Sequence, residues 1–298
     1  VERHEIETFL TLAEELHFRR TSEKLGLAQG RVSQTIKKLE RQIGAQLFER
    51  TSRRVVLTPV GEQLRDDLLP AQRQIQQAVE RALSAGRGVS GVLNVGYSSP
   101  MAADVLLRAA DVFQHRNPHC QVRIHEIQLT DLYGPIRSGQ VDVQVTEGPV
   151  AEPDLTAGPL LFRQDRVMLV SQEHPFAAYE SVSVEDYART SLVTMSGNMP
   201  QYWMDANFPV RTPGGLPIPQ GGTANFWPAT LVLVAAGKGV TPSCAGAEPY
   251  LGRPDIVWVP FRDAPTVDYT FIWPRCGASA RVKAFVETAL GVPHPYKV

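Results

Sequence analysis

Long apolar runs are missing from this 298-residue sequence. The longest, Leu231 to Ala236, spans six residues, whereas a helix that crosses a bilayer needs about 20; no membrane partner is expected. Cysteine is scarce. Cys120, Cys244 and Cys276 are scattered and form no C-x-x-C, which excludes a disulfide framework and a zinc ribbon and fits a reducing cytoplasm. A secretion signal is also missing from the first residues, where Glu2, Glu5, Glu7, Glu14 and Glu15 stand in place of a basic and then apolar stretch. Net charge is nearly absent, at -1, and taken alone that argues against a nucleic-acid partner.

The average hides an uneven distribution. Between Arg19 and Arg54 ten Lys or Arg face three Glu, a local charge of +7, which leaves the rest of the chain at -8. A small basic segment on a larger acidic body is the asymmetry of a nucleic-acid module, although a solvated helix face that happens to be basic produces it too.

Periodicity predicts three helices in this region. Ile6, Phe9, Leu10, Ala13 and Leu16 recur at helical spacing over residues 2–15. A short helix from about Arg20 to Leu25 stops at Gly26, and a third runs from Gln29 to Ile43 and stops at Gly44. Val32, Ile36, Leu39 and Ile43 share one side of the third helix, while Gly30, Gln34, Lys37, Lys38 and Arg41 lie opposite. Two helices, a tight turn and such a helix make a helix-turn-helix, whose last helix fits a major groove. Gln34 can pair with adenine and Arg31 with guanine, and Lys37, Lys38 and Arg41 reach phosphates. Arg19, Arg20, Gln29, Gly30 and Ser33 complete the expected DNA-contacting set on the first two turns and the preceding helix. An ordinary three-helix core has no need to exclude acids from one face so consistently.

Two short extended runs, Gln46–Glu49 and Val55–Leu57, are joined by a basic tip that carries Arg53 and Arg54, the wing of a winged helix. Thr58-Pro59 then opens a helix to about Ser84, with Val60, Leu64, Leu68, Ala71, Ile75, Ala78 and Ala82 along one stripe and Pro70 interrupting it. That spacing predicts a dimerisation helix, and Gly86, Gly88 and Gly91 mark a boundary after it.

Phe18 through Leu25, Val32-Ser33-Gln34-Thr35-Ile36-Lys37-Lys38-Leu39-Glu40, Gly44-Ala45-Gln46-Leu47-Phe48-Glu49-Arg50 and Leu57-Thr58-Pro59-Val60-Gly61 together resemble the LysR-type transcriptional regulators. The sequence departs from that pattern at Thr21-Ser22, where small alanines are usual, at Ala28, where a capping Ser is usual, and at Gly30-Arg31. The resemblance implies a homodimer or homotetramer that bends an inverted-repeat promoter site. It also implies a small-molecule effector that shifts the assembly between two arrangements, with RNA polymerase as a further contact.

From Val92 strands alternate with helices, which predicts a parallel α/β arrangement. Expected strands are Val92–Tyr97, Gln121–Ile127 and Val141–Thr146, with helices Met101–His115 and Thr130–Arg137 between them. A second series spans Val167–Val170, Ser191–Met195, helix Pro228–Ala236 and Val257–Pro260, before Tyr269–Trp273 and a final helix Ala278–Leu290. Crossovers near Leu160–Arg163 and Thr266–Tyr269 resemble those of the family's effector-binding half and of periplasmic binding proteins. The expected fold class is therefore α/β with an N-terminal winged helix-turn-helix (1–58), a long linker helix (59–88) and a two-lobed effector domain (89–298). Lobe I would hold 89–162 and 268–298, and lobe II 163–267.

Ligands of such sheets bind beyond the carboxyl ends of the strands. That rule selects Ser98, Ser99, Thr130, Thr146, Ser196 and Thr241, with Phe226 and Trp227 as stacking walls, although the hydroxyls also suit helix caps and the aromatics a core. No catalytic pattern is complete. Gly96-Tyr97-Ser98-Ser99-Pro100 lacks the closing glycine of a nucleophile elbow, and Asn117-Pro118 separates His115 from His119 beside Cys120, so neither an enzyme nor a metal or other cofactor is expected. The remaining alternative is a two-lobed solute-binding protein whose N-terminal helices serve assembly only.

Overall fold

A computed structural model describes residues 1–50, 55–87 and 89–297. They form two compact units, Val1–Val79 and Glu80–Val298, that meet within one helix.

The first unit contains α1 (Arg3–Glu15), α2 (Phe18–Leu25), α3 (Gln29–Ile43), β1 (Phe48–Arg50), β2 (Val55–Leu57) and the start of α4 (Pro59–Arg87). Helix α2 begins two residues before the expected Arg20, because the His17 ring accepts the Arg20 N–H and caps the helix there. Ala28 supplies no side-chain cap to α3, which ends at Gly44 in the left-handed region (φ 81°). Thr21 and Ser22 are buried, and their hydroxyls donate back to the carbonyls of His17 and Arg19, so the two departures from small alanines leave no orphaned polar atom.

Phe9, Leu12, Val32, Ile36, Leu39, Leu47 and Phe48 are the buried core of this unit, and the rings of Phe9 and Phe48 pack 5.5 Å apart. Ile43, expected as a fourth anchor of α3, is half exposed because the core ends one turn before the helix does. The β1 strand starts at Phe48 rather than Gln46. The N–H groups of Leu47 and Phe48 both donate to Glu40 Oε1, at 3.0 and 3.3 Å, which holds the entry to the strand against α3. Arg53 and Arg54, the expected wing tip, lie outside the described residues.

Helix α4 runs through Pro70 without a break. Its stripe divides: Leu64 and Leu68, with Leu69 beside them, pack on the core of the first unit, whereas Ile75 and Val79, one turn apart, are exposed. The side chains of Ala78 and Ala82 lie outside the described set.

The second unit contains β3 (Gly91–Tyr97), α5 (Pro100–Arg116), β4 (Cys120–Glu126), α6 (Gly134–Arg137), β5 (Val143–Glu147), β6 (Leu155–Gln164), β7 (Arg166–Ser171), β8 (Leu192–Met195), α7 (Gln201–Asn207), β9 (Gln220–Ala224), α8 (Trp227–Ala235), β10 (Thr241–Cys244), α9 (Glu248–Leu251), β11 (Ile256–Pro260), β12 (Val267–Pro274) and α10 (Ala280–Leu290). One five-stranded sheet has the order β4-β3-β5-β12-β6, and a three-stranded sheet has β10-β7-β11. The β8-β9 pair is joined to β10 by a bridge between Leu192 and Val240.

Three expectations are corrected here. The sheets are mixed rather than parallel: β4, β3 and β5 are parallel, but β12 runs antiparallel to β5 and β6, and β10 and β11 run antiparallel to β7. Second, the segment expected as the first crossover lies inside the ten-residue strand β6, and Asp165 alone separates β6 from β7. With a single residue between the two strands, the chain passes directly from the five-stranded to the three-stranded sheet. Third, the expected helix Thr130–Arg137 is a 3-10 turn at Leu129–Asp131 followed by the short α6. Pro135 has no N–H to donate back, and Asp131 Oδ1 instead accepts the Gly134 N–H at 3.2 Å.

The entry to α4 offers a direct test of this packing. Thr58 donates to the Gln46 carbonyl at 2.7 Å and accepts the Gly61 N–H at 3.0 Å, and a Cβ on Gly61 would meet the Leu47 carbonyl oxygen at 2.1 Å. Thr58→Ala is expected to cost about 1–2 kcal/mol, the range of a lost N-cap, and Gly61→Ala more, because backbone must move. Hydrogen exchange at residues 47–62 reads both; equal protection in the Gly61 variant would contradict the close approach.

Candidate nucleic-acid interface and ligand cavity

Helix α3 carries two opposed faces. Val32, Ile36 and Leu39 are buried, so Arg31, Gln34, Lys37, Lys38 and Arg41 are necessarily turned outward, and all five are exposed. Together with Thr35 they line an open hollow along the helix. Arg31, Gln34 and Lys37 make no side-chain hydrogen bond or ion pair among the described residues. Gln29 and Gly30 are exposed at the start of the same helix, with Ser33 half-buried on its next turn.

The other predicted contacts are engaged. Lys38 Nζ sits 2.7 Å from Oε1 of Glu5, a fully buried carboxylate on α1, and this bond holds the Glu5 carboxyl below its ordinary value of 4.5. Arg41 Nε donates to the Lys37 carbonyl. Arg19 pairs with Glu23 and Arg20 with Glu15, both exposed pairs of the kind worth little in water. The outward face thus presents three unengaged side chains at its centre and tethered cations around them.

The second unit contains a partly open pocket of about 60 Å3. It is reached by the β3–α5 corner (Ser98, Ser99), the end of β5 (Glu147), the start of β7 (Arg166), α7 (Trp203, Asn207) and the strands carrying Cys244 and Tyr269. Ser98 Oγ donates to Glu147 Oε2 at 2.5 Å, and the nearby Tyr269 hydroxyl donates to Cys244 Sγ at 3.5 Å. Burial pushes the Glu147 carboxyl up, against the Ser98 bond and the charge of Arg166, which favour its charged form. Arg166 donates to Asn207 Oδ1 at 3.0 Å and to the Pro265 carbonyl at 3.2 Å. Trp203 is fixed by its indole N–H on the Glu147 carbonyl, 3.1 Å away. Burial raises the Cys244 thiol to about 11, so it stays a thiol at neutral pH.

Of the ligand residues selected from sequence, the structure brings Ser98 and Ser99 to this cavity, and Trp227 with them. The others are elsewhere. Thr241 is buried and donates to the Val193 carbonyl, Ser196 bonds Asn225, and Phe226 is half exposed at the cap of α8. The Thr146 hydroxyl is buried without a partner on the opposite face of β5 from Glu147, as strand alternation requires. Thr130 presents backbone: its carbonyl accepts the Asn198 N–H at 2.7 Å.

Sequence reasoning missed Glu147, Arg166, Trp203, Asn207 and Tyr269. Two had a usable signal. Glu147 is the residue just past the apolar run of β5, at its carboxyl end, and Arg166 opens the run Val167–Val170. The tether between Lys38 and Glu5 has a measurable consequence. A carboxyl held low in the folded state contributes stability that is present above about pH 4.5 and disappears as pH falls through its lowered value. Lys38→Met is expected to lower the melting temperature at pH 7 and to flatten its fall in acid, with Glu5→Gln on top recovering part of the loss. Thermal melts from pH 3 to 7 followed by circular dichroism decide this.

Comparison with known proteins agrees with the geometry. Residues 4–62 match the model described as the bacterial regulatory helix-turn-helix protein, lysR family, and residues 86–292 match the LysR substrate binding domain. The chain is 29% identical over 208 residues to the HTH-type transcriptional regulator AlsR of Bacillus subtilis, across 69% of this chain and 68% of that one. It is 29% identical over 191 residues to the DNA-binding transcriptional dual regulator OxyR of Escherichia coli, across 64% of this chain and 62% of that one. Full-length CbnR solved with its target DNA has the same fold, with a TM-score of 0.64, 17% identity and coverage of 97% of this chain and 99% of that chain. With a helix-turn-helix unit in front and a ligand-domain match over more than half its length, the chain belongs to the LysR family of bacterial transcriptional regulators.

Proposed function

We propose that the outward face of α3 reads a promoter site and that the cavity of the second unit receives the small molecule that controls it. The observation that carries the first half is the trio Arg31, Gln34 and Lys37, exposed and unengaged at the centre of a face whose reverse side is locked into the core. An amide that can pair bidentately with adenine, flanked by a guanidinium for guanine and an ammonium for phosphate, combines base readout with backbone positioning. Gln29, Gly30 and Ser33 border that contact. Arg19, Arg20, Lys38 and Arg41 contribute positive potential around it, although Lys38 is held primarily by Glu5.

Two copies acting on an inverted repeat require a dimer, and Ile75 and Val79 on α4 supply an apolar pair for it. Leaving both exposed in a single chain has a cost that a second helix removes. Tetramers and a contact with RNA polymerase extend the same reading, as does a cytoplasmic location, where DNA and effector are both present. For the second half the supporting feature is a largely apolar pocket at the strand ends that carries a few polar groups, Ser98, Ser99, Glu147 and Arg166, as ligand sites of α/β sheets do.

Fluorescence anisotropy with duplexes from upstream of the protein's own coding region, across a salt series and with unrelated competitor, tests the DNA reading. Gln34→Ala is expected to lose about 1–3 kcal/mol of discrimination at one base position. Lys37→Ala should instead weaken all duplexes alike and reduce the salt slope by about 1. Both variants binding every duplex like the parent would remove α3 from the interface. Replacing Ile75 and Val79 together by Ser is expected to shift the sedimentation profile toward monomer, and an unchanged profile would place the assembly contact elsewhere.

A further inference from the structure

One wall of the pocket is a segment that the rest of the unit holds lightly. Residues 196–207 lead from β8 through α7, and of their side chains only Trp203 and Asn207 are buried. Both of these line the pocket. Met195 in β8 and Phe208, each almost wholly buried, fix the two ends. Between them Trp203 is the one deeply buried apolar side chain, with Met199, Tyr202 and Met204 packed more shallowly. Hydrogen bonds to the segments that follow β4 and β5 supply the rest. The Asn198 N–H donates to the Thr130 carbonyl at 2.7 Å, and a Cβ on Gly197 would stand 2.3 Å from Thr130 Cα, so this approach requires glycine. The Trp203 indole N–H donates to the Glu147 carbonyl at 3.1 Å. The Tyr202 hydroxyl donates to Glu152 Oε1 at 2.7 Å and accepts the Ala151 N–H at 3.1 Å.

The receiving side is rigid by comparison. Arg137 on α6 pairs with both Glu152 and Asp154 and lies 5.6 Å over the Tyr133 ring, so the Glu152 carboxylate is held where the Tyr202 hydroxyl meets it. Few deeply buried contacts and several bonds at the surface mark a segment that opens locally at low cost. Fixed at both ends, this one swings as a piece and takes Trp203 and Asn207 with it. We propose that residues 197–207 are a hinged clasp, latched by Tyr202 on Glu152 and by Gly197 and Asn198 on Thr130, whose opening governs access to the pocket. Closing it sets the Trp203 indole against Glu147, and opening it lifts that wall. The clasp deepens the reading of this pocket as the effector site and rests on it. A ligand that touches Trp203 or Asn207 meets the clasp itself and distinguishes its latched and open forms, which is what a ligand needs in order to shift a population.

The protein's own cysteines report on the clasp without any ligand. Cys244 lines the pocket, Cys120 is buried at the start of β4 away from it, and Cys276 is exposed. The full-length protein is treated with methyl methanethiosulfonate, a small neutral thiol reagent, and modification of each cysteine is followed by peptide mass spectrometry. Tyr202→Phe removes only the latching hydroxyl. It is expected to speed modification of Cys244 by ~10-fold or more, the equivalent of a hydrogen bond to a charged group, with Cys120 and Cys276 unchanged. Gly197→Ala should speed it at least as much, because the Thr130 backbone has to give way. Cys120 separates an opened clasp from a loosened unit. Equal Cys244 rates in the parent and the folded Tyr202→Phe protein, or Cys120 accelerating in step with Cys244, overturns the proposal. A Gly197→Ala protein that does not fold leaves the decision to Tyr202→Phe. DNA anisotropy on the same variants tests the underlying reading separately. Faster Cys244 modification with unchanged DNA affinity would keep the clasp and remove this pocket from the control of DNA binding.

Discussion

Burial of the aliphatic stripe on α3 is the constraint from which the rest of the first unit follows. Val32, Ile36 and Leu39 are almost wholly removed from solvent against the core that Phe9, Leu12 and Phe48 complete. Large apolar side chains of this kind contribute about 1.5–3 kcal/mol each when fully buried, so rotating the helix to hide its other face is not an available state. A helix has only one azimuth at which these three residues are inside. At that azimuth Arg31, Gln34 and Lys37 are outside, in one row, whether or not a partner is present. The outward display of these three side chains is therefore a by-product of core packing, and they do not have to hold themselves in place.

The same economy governs which cations stay available. A basic segment of +7 would be uniformly adhesive if every charge were unengaged. Here Lys38 is committed to the buried Glu5, Arg20 to Glu15 and Arg19 to Glu23. Of these, only the Lys38 pair has a partner fully sequestered from water, so it ties α3 to α1, whereas the other pairs contribute little in water. Charge thus serves two ends on one surface: it fixes the angle between two helices, and it leaves a central trio unspent.

In the second unit the governing feature is the closeness of the two sheets. Asp165 alone separates β6 from β7, so the last residues of one sheet and the first of the next stand side by side. That proximity puts Glu147, from the end of β5, and Arg166, from the start of β7, on one cavity. Charges nineteen positions apart in the sequence line one pocket there. Trp203, Asn207 and Tyr269 are brought in by the same convergence, and the Trp203 bond to the Glu147 carbonyl links the wall of the cavity to the strand that carries its acid.

What was legible in the sequence follows from the range of the interactions involved. Helix periodicity, the stops at Gly26 and Gly44, the cap at Thr58 and the Val55–Leu57 strand depend on neighbours a few residues away, and they appear where local physics puts them. The outward row of α3 belongs with these, since one helical turn defines it. Strand direction was not legible, because a run such as β12 has the same composition whether its neighbours are parallel or antiparallel. Nor was the pocket: Ser98 and Ser99 sit at a helix entry visible in the sequence, but the burial of the Glu147 carboxyl depends on distant segments, and Thr241, once buried, turned to the Val193 carbonyl. Sequence alone determined which residues can pair along one helix or strand. The tertiary structure decided which distant groups share a pocket and that the Glu147 carboxyl loses water there, because desolvation depends on every segment that closes over a group and not on its own neighbours in the chain.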